Sequence, residues 1–479
     1  MRKVESTQYE LGASIISNVS INPKSRDDIP ALLIGLQHLY TDTQTRDKMF
    51  ALLEAEVNPG ARKDTGRPGM ELWRILVLAT LKQGLNCDYD RLTHIANHDN
   101  LVRQMMGHGL LDHAYERQTV ADNVRLLSPQ LLEKVSQLVV ESGHEVAEQK
   151  PDETLRGRAD SFIVETNVHY PTDMNLLWDA MRCTVRESAA LADSLSISGW
   201  RQHHYVTRQI KKRFNRVRSS TLVKKSPERV QEYLSYCEKY LQVAEATLKQ
   251  AEMRLHVSIL QHAKAVQIQG YITDAKRQID QITRRVFNGE KIPHGEKVFS
   301  IFQPHTRWNC KGKAGVSQEL GLPVCVVEDQ YKFVLHHKTF WKGGDVDHAV
   351  AVIAEAQERF PQLVACSFDK GFHSPANQIE LAEMLEECAL PRKGYLSAAA
   401  SEHESQQWFK EARKKHPGIE SAINHLEHCG LDRVLDHGQR GFERAVALSV
   451  LAANVKRLGR IIRDKQRKEL ARQQRLRAA

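Results

Sequence analysis

Apolar residues follow a helical period in the first 150 residues. They recur every three or four positions in two runs, 72–81 and 126–139. No alternating stretch of the kind that favours a β-strand interrupts this segment. We therefore predict an N-terminal all-α domain over residues 1–150, in which Arg67 and Pro68 open a helix. Such a domain either contacts DNA through a helix-turn-helix or only supports the rest of the chain.

A different pattern begins at residue 157, where β-branched and aromatic residues alternate with polar ones. Runs of this type, separated by helical stretches near 347–358 and 376–387, predict an α/β fold. The predicted strands cover residues 157–172, 297–302, 323–329, 331–337, 363–369 and a short segment from 388.

Residues from about 190 to 290 interrupt the strand pattern and predict a helical insertion. Positions 200–218 hold seven Lys or Arg and no acid, with apolar residues at helical spacing. This basic amphipathic helix is either a solvated face or a contact for phosphates. Ser226, Pro227 and Glu228 form a helix start, and the following heptad-like pattern predicts a helical hairpin or bundle that breaks near Gly270.

Composition narrows the class of protein. Hydrophobic residues make up 41% of the 479 positions and charged residues 27%, which is typical of a folded, multidomain chain. The net charge of +9 suits a polyanionic partner, although a merely basic protein has the same balance. The eight cysteines lack zinc-site spacing, which indicates reduced thiols and a cytoplasmic location. No signal peptide or membrane span is expected.

Two acids stand out by their position in the predicted sheet. Asp160 lies inside the first strand, where an ionised carboxylate is costly unless a positive charge compensates it. Asp369 ends a later strand, at the edge where open α/β sheets bind ligands. Carboxylates that converge at one place repel each other, so they favour a hard divalent cation such as Mg²⁺ or Mn²⁺.

At this point the chain resembles a known family. Motifs along nearly its whole length are similar to bacterial insertion-sequence transposases of the DDE type, most closely those of the ISNCY family. The stretches that carry the resemblance are GRPGMELWRILVLATLKQGL (66–85), ADSFIVETNVHYPTD (159–173), LLWDAMR (176–182), HTRWNCKGKAG (305–315), CSFDKGFHSP (366–375), LPRKGY (390–395), IESAINHLEHCGLDR (419–433) and GFERAVALSVLAANVKRLGR (441–460).

The resemblance implies an RNase H-like catalytic domain over residues 151–455, with a mixed sheet and helices on its faces. It places the catalytic and metal-binding acids at Asp160 on the first strand, Asp369 after the fourth strand and Glu420 in a later helix. It also implies two Mg²⁺ or Mn²⁺ ions, which support cleavage and strand transfer. Asp160 would bridge both ions, while Asp369 and Glu420 would each complete the coordination of one ion.

Double-stranded DNA is the partner that this family implies, as terminal inverted repeats and target, bound by a homo-oligomer in the bacterial cytoplasm at the nucleoid. The basic tail at 456–479 is either a DNA contact or a solvated segment. Candidate DNA-binding residues are Lys211, Lys212, Arg213, Lys311, Lys313, Arg392 and Lys393.

Alternatives remain open for the function and for the third acid. The same fold and metals also serve hydrolytic nucleases, and an inactive DNA-binding relative would keep the fold without the chemistry. Glu411 and Glu427 lie in the same helical region as Glu420. Ile419 and Leu426 belong to an apolar stripe beside Glu420, whereas Pro417 and Gly418 separate Glu411 from that stripe. We therefore expect Glu420 to be the third acid.

Overall fold

The computed structural model describes residues 3–5, 12–57, 69–109, 114–150, 152–219, 226–254, 258–310, 318–395 and 397–478. The chain divides into two compact units. The first unit consists of Met1–Thr166 and Gly321–Ala479, and the second unit is Asn167–Leu320. Within the described residues, no helix has both the length and the apolar character that a membrane crossing requires.

Helices fill the N-terminal part of the first unit, as predicted. Aspartate or serine caps begin several of them; for example, Asp88 accepts from the backbone N–H of Arg91, and Ser128 accepts from that of Leu131. The predicted opening at Arg67 lies outside the described residues. The helices are α1 (Asp28–Thr41), α2 (Thr43–Glu56), α3 (Leu72–Gly84), α4 (Tyr89–His98), α5 (Asn100–Met105), α6 (Arg117–Val124) and α7 (Pro129–Val146).

Strand β1 (Leu155–Thr166) follows these helices, and the chain then enters the second unit. Apolar residues from its helices form a core of their own, as the helical pattern predicts. The predicted insertion from about 190 to 290 lies within this unit. Its elements are α8 (Asp173–Ser194), α9 (His203–Ser219), α10 (Pro227–Glu252), α11 (Ile259–Phe287) and β2 (Arg307–Cys310).

Two predictions for the second unit are wrong. The predicted break near Gly270 is absent, because α11 runs through it and begins instead after Ser258, whose side chain forms a capping box with Gln261. The predicted strand at 297–302 is an irregular segment. Ser300 Oγ accepts hydrogen bonds from two following backbone N–H groups, and Ile301 packs into the helical core. The apolar side chain is thus buried against helices, although the alternation of apolar and polar residues predicted a strand.

The sheet of the first unit is mixed, which confirms the α/β class. On one side of β1, β3 pairs antiparallel with β1 and β4 pairs antiparallel with β3. On the other side, β5 runs parallel to β1 and β6 runs parallel to β5, while β7 pairs with the end of β1. These strands are β3 (Gln318–Glu328), β4 (Val334–Thr339), β5 (Leu363–Phe368), β6 (Glu387–Ala389) and β7 (Arg433–Val434).

Helices cover both faces of this sheet. One face packs against α7 and α12, in the core that also contains the N-terminal helices. Consequently the predicted boundary near residue 150 runs through the first unit. The other face packs against α16 and the start of α17. The remaining helices are α12 (Asp345–Arg359), α13 (Pro375–Met384), α14 (Ala398–Ser405), α15 (Gln407–Lys415), α16 (Ile419–Leu426) and α17 (Gly438–Ala478).

The predicted basic tail at 456–479 continues α17 as far as Ala478. Its first residue, Lys456, is buried and forms an ion pair of 2.9 Å with Asp28 of α1. Further along, from Asp464, most side chains are exposed. The tail therefore begins as part of the packed first unit and becomes solvent-facing only in its last turns.

Candidate active site

The central strand β1 brings two of the predicted acids together. In the parallel pairing with β5, Ala159 lies opposite Phe368. Asp160 follows Ala159 on β1, and Asp369 follows Phe368 at the end of β5. The two carboxylates therefore occupy neighbouring positions on adjacent strands. Alternation along β1 directs Asp160 toward the same face as Phe162, the face that α16 covers.

Asp160 lies among other carboxylates. Its side chain is half-buried, and Oδ1 accepts a hydrogen bond of 2.8 Å from the backbone N–H of Ser161. Burial raises the pKa of Asp160 to about 6, and repulsion from Asp369, Asp345 and Glu420 adds to this rise. The three acids predicted from the sequence are therefore close enough to interact, together with a fourth that was not predicted.

The fourth acid is Asp345, the first residue of α12. Ser161 Oγ donates a hydrogen bond of 2.5 Å to Asp345 Oδ1. On the other side of Asp345, a Cβ added to Gly371 would lie 2.8 Å from Oδ2, so only glycine leaves the carboxylate this position. Burial and the nearby Asp369 raise the pKa of Asp345. A signal was present in the sequence, because Gly343 and Gly344 precede an acid at a helix start just after a strand.

Glu420 differs from its two competitors in what surrounds it. It lies exposed in the first turn of α16, and its side chain forms no hydrogen bond or ion pair with any described residue. Glu411 accepts from Gln407 and faces Arg156 at the far end of β1. Glu427 begins a π-helical turn after α16 and is not among the groups that chiefly raise the pKa of Asp160. Of the three glutamates, Glu420 is the one that interacts with Asp160.

The chemistry of this site fits a divalent cation, although the side chains are not arranged as a ready-made metal site. Across the described ranges, no three His, Cys, Asp or Glu side chains form a group that could hold an ion. The donors are nevertheless all carboxylate oxygens, which Mg²⁺ and Mn²⁺ prefer. Their mutual repulsion, together with burial, holds the pKa of Asp160 at about 6, and a bound cation would relieve that repulsion.

Residues around β5 hold the end of the strand in place. Arg413 Nη1 donates a hydrogen bond of 2.8 Å to the carbonyl of Phe368, directly before Asp369. His416 Nδ1 and Ser367 Oγ lie 3.0 Å apart, and burial lowers the pKa of His416 to about 4, so this imidazole is neutral at physiological pH. These contacts fix the backbone that carries Asp369 without adding a carboxylate-neutralising ion pair.

The predicted DNA-binding residues fall into three groups. Lys393 lies beside the carboxylates, because its Nζ donates a hydrogen bond of 3.0 Å to the carbonyl of Gly371, while Arg392 is tied to Gln378 by a bond of 2.7 Å. Lys311 and Lys313 lie outside the described residues. The third group, on α9, belongs to the second unit.

On α9, Lys211 and Lys212 are exposed, but Arg213 is engaged within its own unit. The guanidinium carbon of Arg213 lies 4.0 Å from the centre of the Tyr236 ring, and its Nε lies 3.1 Å from Glu232. The acid-free stretch is thus partly neutralised by an acid of α10. Its apolar positions, including Ile210 and Phe214, are buried as the amphipathic pattern predicts.

Comparisons with protein-family models, with curated proteins and with solved structures found no match to this chain.

Proposed function

We propose that this chain is a DNA transposase of the DDE type, which cleaves and joins DNA phosphodiesters with two divalent cations. The observation that carries the proposal is the interaction of Asp160, Asp369 and Glu420, which lie far apart in the sequence. These are the three acids that the resemblance to ISNCY-type transposases selects. Their placement on the first strand, after a parallel neighbouring strand and on a later helix supports an RNase H-like arrangement of the first unit.

The carboxylates would hold the two ions between β1, the end of β5 and α16. When bound, such ions activate a water or a 3′ hydroxyl for attack and stabilise the departing 3′ oxygen. The backbone N–H of Ser161 occupies one oxygen of Asp160, which orients the carboxylate. Because the pKa of Asp160 is about 6, this group is mostly ionised at neutral pH and able to act as a ligand.

Lys393 is the predicted cation nearest to these carboxylates. Its hydrogen bond to Gly371 holds the ammonium group two residues from Asp369, and it counteracts the rise in the pKa of Asp345. An ammonium group at this place would contact a DNA phosphate next to the bond that is cut, which supports a substrate with a phosphodiester backbone.

The test uses the full chain and DNA that contains the sequences flanking its gene, since inverted repeats there would be the substrate. We expect Mg²⁺-dependent cleavage and joining to a target duplex. Asp160→Asn and Asp369→Asn should reduce cleavage to less than about a hundredth of the wild-type rate, while binding of the ends stays nearly intact. Glu165→Gln, on the same strand, is the control and should cleave normally.

Each result separates this function from an alternative. Cleavage without joining would identify a hydrolytic nuclease, and binding without cleavage by the wild-type chain would identify an inactive relative. Retained cleavage by either aspartate variant would refute the assignment of the metal site.

A further inference from the structure

A polar cavity lies beside the carboxylates within the first unit. It has a volume of about 310 Å³, and it is bounded by β1, the turn between β3 and β4, α16 and α17. Four cationic side chains line it, but Glu328 is the one acid among its described lining residues. His425 also lines it, and burial lowers the pKa of this imidazole to about 4, so it adds no charge at neutral pH. The cationic residues are Arg158, Lys332, Arg457 and Arg460.

The acid of the cavity cannot neutralise these four cations. Arg158 Nη2 donates a hydrogen bond of 2.6 Å to Glu328, so this carboxylate already compensates the charge of Arg158. Burial also raises the pKa of Glu328 to about 7, so the group is partly protonated at neutral pH. Arg457 donates to the carbonyl of Tyr331, whereas the side chains of Lys332 and Arg460 form no hydrogen bond or ion pair with any described residue. The cavity therefore keeps a positive charge that an anion would compensate.

The backbone of Lys332 is strained, which is a second and independent observation. Its φ is +67°, in the left-handed region where a lysine is unfavourable and glycine or asparagine is preferred. The turn is held by Asp329 Oδ1, which accepts from the backbone N–H groups of Tyr331 and Phe333 at 2.8 and 2.9 Å. A lysine at a position that favours glycine lowers the stability of the turn, and such strain is concentrated at functional positions.

The cavity and Asp160 share one face of the sheet. Arg158 precedes Asp160 by two residues on β1, a distance of about 7 Å along the strand, so both side chains point the same way. Gly418, which also lines the cavity, precedes Glu420 by two residues. A Cβ at Gly418 would lie 2.2 Å from Arg158 Nη1, so the glycine makes room for this guanidinium group.

We propose that this cavity binds a phosphate group, supplied by the backbone of the DNA strand that enters the carboxylate site. Guanidinium groups present a planar fork that matches phosphate oxygens, and a lysine adds a mobile charge. The identification of the phosphate with DNA rests on the proposed function. The phosphate site itself does not, because a free phosphate ion offers the same chemistry.

The test removes the two cationic side chains that are not paired with any described residue. The double variant Lys332→Gly with Arg460→Gln should fold normally, since glycine relieves the strained turn and the side chain of Arg460 forms no hydrogen bond or ion pair with any described residue. Binding to duplex DNA is measured by fluorescence anisotropy over a range of NaCl concentrations. We expect the slope of log affinity against log salt to become shallower by about 0.9, which corresponds to one phosphate contact. Arg460→Lys keeps the charge and should keep the slope.

A second measurement distinguishes the sources of the phosphate. At matched ionic strength, inorganic phosphate should raise the melting temperature of the wild-type chain relative to chloride, and this rise should vanish in the double variant. If the rise vanishes but the DNA slope is unchanged, the DNA assignment is overturned and the cavity binds a free phosphate. If neither changes, the phosphate site is overturned.

The result for the proposed function is independent of these outcomes. Asp160→Asn tests cleavage and retains the cavity, whereas the double variant tests binding and retains all four carboxylates. An unchanged slope refutes the DNA assignment, and an unchanged slope together with an unchanged phosphate-dependent rise in melting temperature refutes the phosphate site; neither result bears on cleavage. Cleavage by Asp160→Asn refutes the metal site without bearing on the cavity.

Discussion

Two neighbouring stretches of the central strand β1 lie among groups of opposite charge that the described residues compensate only in part. Around Asp160, four carboxylates interact without an internal cation sufficient to neutralise them. Around Arg158, four cations share Glu328. Burial disfavours the charged forms of Asp160 and Asp345 in the first place and of Glu328 and Arg457 in the second, so each arrangement lowers the stability of the protein without a ligand. Charged groups that destabilise the unliganded protein and are stabilised by a bound counter-ion are typical of binding sites. The comparison therefore predicts that cations bind around Asp160 and that an anion binds around Arg158.

The largest expected effect concerns the third acid. Glu420→Gln should reduce Mg²⁺-dependent cleavage to less than about a hundredth, because it removes a ligand that no other described glutamate beside Asp160 replaces. Glu427→Gln and Glu411→Gln are matched controls from the same helical region and should retain most of the activity. Cleavage rates on the same DNA, measured at saturating Mg²⁺, decide the matter. An inactive Glu427→Gln beside an active Glu420→Gln would move the site to the π-helical turn.

In the absence of metal, the ionised Asp160 should lower the free energy of unfolding of the protein. The pKa of Asp160 is raised from 3.8 to about 6, so ionisation of this group opposes folding above pH 6 and has no such effect below about pH 4. Asp160→Asn should therefore increase the free energy of unfolding by about 2 kcal/mol at pH 7.5, less than the roughly 3 kcal/mol of the full shift, and by nothing at pH 4. Urea denaturation in EDTA measures this difference.

The matched control for that experiment is Glu165→Gln on the same strand. Glu165 forms an ion pair of 2.5 Å with Arg433, so its neutralisation should not stabilise the protein at pH 7.5. Addition of Mg²⁺ should reduce the advantage of Asp160→Asn, because the ion stabilises the ionised wild-type site. Equal stability of wild type and Asp160→Asn at pH 7.5 would contradict the inference that burial and the neighbouring carboxylates make ionised Asp160 destabilising.

A smaller effect is expected from the acid that the sequence analysis missed. Asp345→Asn keeps an oxygen that can accept from Ser161 Oγ but removes a negative charge beside Asp369. We expect cleavage to fall about tenfold and to require more Mg²⁺, which corresponds to about 1.4 kcal/mol. Asp347→Asn, two residues further along α12, is the control, since Asp347 only caps the helix through the N–H of Gly344. Equal Mg²⁺ dependence of the two variants would show that Asp345 is structural.

The last prediction concerns DNA binding by the basic helix α9 of the second unit. Charge reversal at Lys211, Lys212 and Arg213 should flatten the salt dependence of DNA binding by up to about three phosphate contacts. Since Arg213 already pairs with Glu232 and stacks on Tyr236, the exposed lysines should account for most of the change. The slope of log affinity against log salt for Lys211→Glu with Lys212→Glu measures their share. An unchanged slope would make this helix a solvated face.

Local patterns in the sequence predicted the elements that bury a regular apolar stripe. The alternation of β1 and the apolar runs of β3, β4 and β5 located these strands, because burial of one face depends on neighbours two residues apart. The first strand was predicted too long, since β1 ends at Thr166 and not at residue 172. The same rule failed at 297–302, where Ile301 packs into the core of the helices and Phe302 is exposed. It also missed β7, whose two residues pair with β1 and are too short to show a period.

What the sequence by itself determined was the α/β class, the helical N-terminal part and the acids Asp160, Asp369 and Glu420 as candidates. Periodicity and motif spacing are local properties, so they can be read without coordinates. Only the tertiary structure decided that these acids interact, that Asp345 joins them through Ser161, and that Arg460 meets Arg158 and Lys332 around one cavity. Those residues are separated by up to hundreds of positions, and their mutual repulsion or attraction depends on distances that only the packing of strands and helices sets.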